Sequence, residues 1–151
     1  MKKIQLCVII LRNMDILFKV FSEINNGSVR VDNITFYNCE GKPVAYTDDE
    51  EHIYLFSGEP VAYFKDESVY GFNGKHLGRI SDGWIRDNKG CCVFFADETC
   101  GSGPTRPVKQ LEPVKGVQSI RPVKSAKQSK PFRPAESLSW SAMSSEKFFY
   151  Q

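Results

Sequence analysis

The chain has 151 residues, of which 41% are hydrophobic and 25% are charged, and its net charge at pH 7 is +2. This length suits one small domain with appendages and excludes several large domains. The five cysteines form no CxxC pair and no zinc-ligand spacing with the two histidines, so we expect reduced thiols, no disulfide scaffold, no metal site and no cofactor.

The N-terminal segment, residues 1–30, opens with MKKIQLCVIIL, in which two lysines precede an apolar run. The run is shorter than a secretory signal usually requires, and no small-residue cleavage site follows it. We therefore expect a cytoplasmic protein without a membrane span. Apolar residues at helical spacing then predict a short helix over residues 15–25, which we expect to cover an open end of the following sheet.

Residues 31–100 contain a glycine that recurs at nearly constant spacing. The glycines are Gly41, Gly58, Gly74 and Gly90, in the frames YNCEGKPVAY, YLFSGEPVAY, YGFNGKHLGR and RDNKGCCVFF. A period of 16 to 17 residues is too short for a helix pair and suits two short strands with two turns. The sequence therefore predicts an all-β domain of four hairpins. Its eight strands are expected near 35–39, 42–47, 52–56, 59–64, 68–72, 75–80, 84–87 and 91–95.

The glycine turns also predict a strand register. Ser57-Gly58 and Asn73-Gly74 are pairs that accept positive φ, as a two-residue type I′ loop requires. The cross-strand pairs expected from such loops are Tyr37 with Val44, Tyr54 with Val61, Tyr70 with Leu77 and Arg86 with Val93. This aromatic and aliphatic face is predicted to be buried, and small residues such as Ala45 and Ala62 occupy the opposite face.

A single hairpin is only marginally stable, so the four hairpins must share a core. A pseudo-fourfold arrangement is the simplest solution, and a continuous meander or a small barrel is the alternative. The run from Tyr37 to Phe95, with its GKPVAY and GEPVAY units, YGFNGKHLG and GWIRDNKGCCVFF, resembles the bacterial four-fold β-flower domain. The SLSWS segment at 137–141 resembles the C-terminal part of that family. The resemblance implies four hairpins arranged like petals and implies no activity.

The C-terminal tail, residues 101–151, is rich in Pro and Lys and repeats RPVK, EPVK, RPVK and KPFR. Proline favours an extended chain here over a helix or a central strand. Between residues 104 and 134 there are eight basic residues and one acid, whereas between residues 32 and 100 thirteen acids face six basic residues. The charges are thus +7 for residues 104–134 of the tail and −7 for residues 32–100.

Three interpretations of this tail remain open: a disordered cationic linker, an arm that docks on the acidic body of the same chain, and an arm that binds nucleic acid or another acidic partner. Docking would be secured by apolar side chains, namely Val108, Val114, Val123, Phe132 and Trp140. Nucleic-acid binding is opposed by the acidic body, which would repel phosphates.

Catalytic chemistry has little support in the sequence. Cys91, Cys92 and His76 are the thiol and imidazole groups closest in the repeat frame, and a buried Cys92 with a rim His76 explains them better than a nucleophile and its base. The DDEE run at 48–51 has no ligand-glycine-ligand loop of the calcium type. We expect no enzyme.

The candidate binding residues are Arg79, Arg86, His76 and Trp84. Arg79 and Arg86 stand where the other repeats have aromatic residues, which indicates either ion pairs with Asp66, Asp82 or Asp87 or an anionic ligand near the centre of the flower. The leading hypothesis is a non-enzymatic binding or protein-interaction module for an unknown protein or small ligand. The alternative is a carbohydrate or cell-wall binder, because Trp84 lies in a hairpin similar to choline-binding repeats. The third is a module that binds nucleic acid or an acidic partner through its tail.

Overall fold

The computed structural model describes residues 33–151, so the helix predicted over residues 15–25 lies outside the described part. Eight strands and one short C-terminal helix follow. They are β1 (Ile34–Tyr37), β2 (Pro43–Thr47), β3 (His52–Leu55), β4 (Pro60–Lys65), β5 (Ser68–Gly71), β6 (His76–Ser81), β7 (Trp84–Asp87), β8 (Cys92–Ala96) and α1 (Ser145–Phe149). All eight strands lie within two residues of their predicted bounds.

The strands form one closed antiparallel barrel in which each strand pairs with its neighbours in sequence. The last strand closes on the first, since Phe36 pairs with Ala96 and Tyr37 pairs with Phe95. Closure removes both edges, which a sheet of eight strands would otherwise expose. The prediction of an all-β array of four hairpins is confirmed, and the array takes the form of a barrel.

The predicted turn type and register are wrong. The glycine turns are three-residue loops: Gly41 N donates to Asn38 O, and Asn38 N donates to Lys42 O, both at 3.0 Å. Only the glycine adopts positive φ there, because the non-glycine residues with positive φ in the described chain lie elsewhere. This is a type I turn followed by a left-handed residue, which leaves a bulge in the next strand. Tyr37 consequently pairs with Pro43, one residue earlier than expected.

Two-residue loops do occur, but they connect one hairpin to the next. Asp66 and Glu67 both have positive φ, and so do Asp82 and Gly83, as type I′ loops require. The strands around them pair without a bulge, with Lys65 opposite Ser68. The expected turn type was therefore assigned to the glycine turns, whereas it occurs in the connectors β4–β5 and β6–β7.

The barrel interior is lined by the smaller residues of the repeat, not by its tyrosines. A single cluster collects residues from most of the strands, and it includes Phe36, Ala45, Ile53, Ala62, Val69, Leu77, Ile85 and Phe94. Neighbouring side chains on a strand point to opposite faces, so the tyrosines that follow or precede these residues lie outside. They form three separate clusters around the barrel. They are nevertheless buried, because the C-terminal tail covers them.

The end of the chain packs back onto the barrel. Helix α1 begins after Ser144, whose side chain accepts a hydrogen bond from Lys147 N, and it buries Phe148 and Phe149. Phe148 meets Phe94 edge to face with ring centroids 5.5 Å apart, and it belongs to the interior cluster. The helix therefore closes part of the core that the barrel alone leaves open.

The cysteines differ from the expectation at one position. Cys39, Cys91 and Cys92 are free, as expected for reduced thiols. Cys100 is disulfide-bonded, so the expectation is wrong for this residue. No helix within residues 33–151 has the length and hydropathy that a membrane span needs.

Candidate functional site

The most extensive surface feature is the tail segment from residue 104 to residue 139, which we call the arm. It crosses the four glycine turns of the body (residues 33–100) in chain order, in four units of nine residues. At each crossing an arm N–H donates to the glycine carbonyl. The pairs are Gln110 to Gly41 (2.8 Å), Ser119 to Gly58 (2.9 Å), Gln128 to Gly74 (2.9 Å) and Ser137 to Gly90 (3.0 Å).

The arm backbone passes so close to the turns that a side chain would not fit there. A Cβ atom built on Gly58 would lie 2.0 Å from Val117 O, and one built on Gly74 would lie 2.0 Å from Ala126 O. Glycine is therefore required at these positions for two reasons. The backbone has a left-handed φ, and the arm occupies the space that a side chain would need.

Within each unit the arm has a period of three residues. One row, the inward row, presents polar and mostly charged side chains to the body; its members are Arg106, Lys109, Glu112, Lys115, Gln118, Arg121, Lys124, Lys127, Lys130, Arg133 and Glu136. The residue after each member of the inward row is either a proline or a residue whose backbone N–H donates a hydrogen bond to a carbonyl of a glycine turn. Three residues per turn without internal hydrogen bonds is the geometry of a polyproline II helix.

The inward row contacts the tyrosine clusters through its lysines. Lys115 Nζ lies 4.2 Å from the centroid of the Tyr46 ring, and Lys124 Nζ lies 4.4 Å from that of Tyr63. Tyr46 and Tyr63 occupy equivalent positions in successive hairpins, just as the two lysines do in successive arm units. A cation above an aromatic face is attracted by the ring quadrupole, so each contact holds one arm unit on one hairpin.

The same row forms ion pairs with acidic residues in the β2–β3 connector and just after β8. Lys124 Nζ lies 2.5 Å from Glu51 Oε1, and Lys109 Nζ lies 2.8 Å from Asp97 Oδ1. The hydrogen bond from Lys124 lowers the pKa of Glu51 below its ordinary value, against partial burial. Because the arm repeats every nine residues, its basic side chains lie opposite acidic residues at successive places around the body.

The aliphatic side chains of the arm point away from the body, contrary to the expectation that they secure it. Val108, Val114, Val123 and Phe132 are 89%, 95%, 92% and 93% exposed. Among the expected anchors only Trp140 packs, against Trp84 and Phe95. We call the outward positions of the arm the outward row; its apolar members are Val108, Leu111, Val114, Val117, Ile120, Val123, Phe132 and Leu138.

Arg79 and Arg86 lie opposite each other on β6 and β7. They occupy the place that stacked aromatic pairs hold elsewhere around the barrel, such as Tyr46 with Tyr54 and Tyr63 with Tyr70. Neither makes the ion pairs proposed for them with acidic residues of the connectors. Their hydrogen-bond acceptors lie on the arm, on the segment that leads to it and at Gly90.

Arg86 is buried, with 5% of its side chain exposed. Its Nη1 donates to Gly90 O (3.0 Å) and Ser137 O (2.6 Å), and its Nη2 donates to Ser102 O (2.6 Å). Arg79 Nη2 donates to Pro131 O at 2.5 Å. The two guanidinium groups therefore hold the fourth arm unit mainly through carbonyl oxygens, at the outer surface of the barrel and not at its centre.

A small cavity opens beside these arginines. Its lining includes Arg79, Arg86, Arg133, Asp87 and Glu136, and its volume is about 10 Å³. Two buried nitrogens of the pair, Arg79 Nη1 and Arg86 Nε, have no hydrogen-bond partner within residues 33–151. The opposite charge nearest Arg86 is Glu136, whose Oε2 lies 3.8 Å from Arg86 Nη2.

His76 is a buried, hydrogen-bonded residue and not a rim residue. Its Nδ1 lies 2.8 Å from Asn88 Oδ1, its Nε2 lies 3.1 Å from Ser68 Oγ, and its ring meets Tyr70 edge-on. Burial lowers the pKa of His76, although the Asn88 contact opposes the shift. Burial also raises the pKa of the Cys92 thiol to about 11. A buried protonated thiol is a poor nucleophile.

Trp84 is 3% exposed and lies under other residues. Its ring contacts Trp140 and Phe95, and a Cβ atom on Gly103 would lie 2.4 Å from it. It therefore offers no open aromatic face. Within residues 33–151 no group of three or more His, Cys, Asp or Glu side chains is placed to hold a metal ion.

Sequence reasoning missed most residues of this surface. The RPVK-like motifs conceal a triplet pattern from 106 to 138, in which a polar residue is followed by Pro, Gln or a small residue and then by a mostly apolar residue. That pattern, and prolines at 104, 113, 122 and 131, would have revealed both periods. His52 was also missed; it lies 2.7 Å from Asp49 and 3.0 Å from Arg121.

The structure thus defines a small closed barrel of four hairpins whose own C-terminal arm crosses every glycine turn. The chain belongs to the family described as 4-fold beta flower protein, whose family model matches residues 34–149. The matched range includes the arm and α1, so both are part of the family domain. No curated protein and no solved structure matches the chain.

Proposed function

We propose that the protein is a non-enzymatic interaction module that binds another protein through the outward row of its arm. The observation that carries this proposal is the exposure of that row: its eight apolar side chains are between 65% and 97% exposed. Single exposed apolar residues are common on proteins, but a contiguous series is typical of an interaction surface. Here a large apolar side chain stands at every third position from Val108 to Val123, and Phe132 and Leu138 continue the row between smaller residues.

The outward row is also held in place before any partner arrives. Each arm unit donates a backbone hydrogen bond to a glycine turn, and the second and third units add a further one, from Gly116 to Phe56 O and from Ser125 to Phe72 O. A binding segment that is already ordered loses less conformational entropy when it binds. The arm therefore combines the exposed surface of a peptide ligand with the rigidity of a folded domain.

The expected partner is a protein with an apolar groove that accepts an extended chain. Proline-rich segments in the polyproline II conformation bind aromatic-lined grooves in this way, with side chains at every third position in the groove. An aliphatic row with a spacing of three residues fits such a groove. The charged side chains of the arm do not compete for it, since they face the body.

The two other hypotheses receive less support. The basic residues that would contact phosphates, such as Lys109, Lys124 and Arg121, are already paired with Asp97, Glu51 and Asp49. A nucleic acid would have to displace these contacts against an acidic body. The carbohydrate hypothesis depended on Trp84, whose ring is covered.

A site-specific photo-crosslinker in the full-length protein tests the proposal. With the crosslinker at Ile120, in the outward row, we expect a saturable covalent adduct with a discrete partner in extract of the source cells. Excess unlabelled protein should suppress that adduct, and excess V114S/V117S/V123S protein should not. The matched control carries the crosslinker at Lys65, which is exposed on the body at the end of β4. Equal adducts from both positions, or equal competition by the triple variant, would refute the proposal.

A further inference from the structure

We propose that Phe132 is the anchor of the outward row and inserts into an apolar pocket, sized for one phenyl ring, on the partner protein. This inference rests on the proposed function and adds to it the residue that decides which partner binds. Phe132 is the largest side chain of the outward row and its one aromatic residue. A few large side chains dominate the binding energy of most interfaces, and an aromatic ring buries a large apolar area at a single position.

The side chains beside Phe132 leave its ring free on both sides. Its neighbours in the row are Ser129 and Ala135, and both are small and exposed. The phenylalanine itself is 93% exposed. Between Val108 and Val123, in contrast, each aliphatic side chain has another one beside it in the row. That continuous part fits a groove, whereas a single projecting ring fits a closed pocket.

The arm also determines where this pocket lies on the partner. Phe132 follows Val123, the last residue of the continuous part, by nine residues, which is one arm unit. At the rise of a polyproline II helix, about 3.1 Å per residue, the two positions are about 28 Å apart along the arm. The partner should therefore carry its pocket one arm unit beyond the end of its groove.

The sequence restricts the backbone on both sides of Phe132. Pro131 precedes it directly, and Pro134 follows two residues later. Proline fixes its own φ and favours an extended conformation for the residue before it. No other apolar member of the outward row has a proline so close on each side. Little conformational entropy is therefore lost when this part of the arm binds.

Two arginines of the body hold the same part of the arm by its backbone. Arg79 Nη2 donates to Pro131 O at 2.5 Å, directly before Phe132. Arg86 Nη1 donates to Ser137 O at 2.6 Å, on the other side of it. The arginines that replace aromatic residues of the repeat are therefore positioning residues for Phe132.

The third arm unit shows what this replacement changes. There Tyr63 and Glu51 of the body both contact a side chain of the arm, that of Lys124. A lysine head group lies at the end of a flexible stem, so its contacts leave the arm backbone some freedom. A guanidinium group that donates to a backbone carbonyl fixes the backbone itself.

The probe is the photo-adduct that the crosslinker at Ile120 forms in extract of the source cells. Unlabelled full-length variants compete for it, and the concentration that halves the adduct compares their affinities. Phe132→Ala should compete at least about 30-fold more weakly than the wild type, as the loss of an anchor residue requires. Leu111→Ala is the matched control, since Leu111 is 96% exposed in the continuous part of the row. Its competition should weaken by less than about 5-fold.

The same assay separates this inference from the proposed function. If Phe132→Ala competes as well as the wild type while V114S/V117S/V123S does not, the anchor is refuted and binding through the row stands. If both compete as well as the wild type, the proposed function fails. Phe132→Ala should keep the wild-type melting temperature, because its side chain is exposed, so weaker competition does not reflect unfolding.

Nuclear magnetic resonance measures the positioning role of Arg79 without any partner. The backbone order parameter of Phe132 should be about 0.85 in the wild type and should fall toward the flexible range, below about 0.6, in R79M. R79K should restore part of the order, because an ammonium group can still donate to Pro131 O. The competition assay should follow the same sequence, with R79M weaker than R79K. An order parameter that R79M leaves unchanged would overturn the positioning role.

Discussion

Lys124 lies over the face of Tyr63, with its Nζ 4.4 Å from the ring centroid, and the same ammonium group pairs with Glu51 at 2.5 Å. One lysine of the arm therefore recognises both a strand and a connector of the body. The equivalent lysine of the preceding unit, Lys115, lies over Tyr46 in the same way. The contact shows how a nine-residue period in the arm matches a period of 16 to 17 residues in the barrel.

Replacing Lys124 by methionine should lower the free energy of unfolding by about 1 kcal/mol, since a cation–π contact and a surface ion pair each contribute less than that. The loss should be smaller in 0.5 M salt, which screens the ion pair. Denaturant titrations at low and high salt measure it. Lys89→Met is the control, because the exposed Lys89 side chain lies on a glycine turn; an equal loss there would contradict the assigned role.

The close approach of the arm to Gly58 makes a second prediction. Gly58→Ala places a Cβ atom 2.0 Å from Val117 O in addition to straining a residue with φ of +93°. We expect a loss of about 3 kcal/mol, more than the 1 to 2 kcal/mol that left-handed strain alone costs. Trypsin should then cut more rapidly after Lys115 and Lys124.

Gly101→Ala separates the two causes. Gly101 also has positive φ, at +77°, but a Cβ atom built on it would lie 3.1 Å or more from the nearest atoms, which belong to the Asp82 side chain. Gly101→Ala should lower the free energy of unfolding through backbone strain, but trypsin should cut the arm no faster than in the wild type. If both variants expose the arm equally, the close approach at Gly58 is not what holds it.

Phe148 and Phe132 make a matched pair, because one phenylalanine is buried and the other faces outward. Phe148 is fully buried against Phe94, so Phe148→Ala should cost about 3 to 5 kcal/mol. Phe132 is 93% exposed, and Phe132→Ala should change stability by less than about 0.5 kcal/mol. Thermal and denaturant unfolding compare them. A large loss at Phe132 would mean that the outward row packs on the body.

His76 should make stability depend on pH near neutrality. Burial holds its pKa below the ordinary value of 6.5, so the unfolded chain binds a proton at a higher pH than the folded chain does. Stability is therefore full above about pH 6.5 and falls as the pH drops from there toward the folded pKa. His76→Gln should flatten this part of the stability profile. An NMR titration midpoint at or above 6.5 for His76 would show that the sign is wrong.

The elements of the body were predictable because the signals are local. A glycine with a polar neighbour every 16 to 17 residues marks a turn, and the alternating residues between turns mark strands. The register was not predictable in the same way, because two-residue and three-residue loops both accept Ser-Gly and Asn-Gly. The one-residue difference decides which of Val44 and Pro43 lies opposite Tyr37.

The site was less predictable than the fold. Arg79 and Arg86 were identified as exceptions to the repeat, and the structure places them side by side. Their partners were not predictable, since Ser102, Pro131 and Ser137 contribute backbone carbonyls that carry no sequence signal. His76 and Trp84 were selected for their chemistry, and both are buried and covered.

The sequence by itself determined the repeat, the eight strands and the opposite charges of body and arm, because each depends on residues that are neighbours along the chain. Only the tertiary structure decided which way the arm faces. Hydrophobicity predicted that Val108 and Phe132 would point inward, but the barrel surface beneath the arm consists of tyrosines, acidic connectors and turn carbonyls. Lysine side chains bind the rings and carboxylates of that surface, and backbone N–H groups bind its carbonyls. The aliphatic side chains therefore face outward.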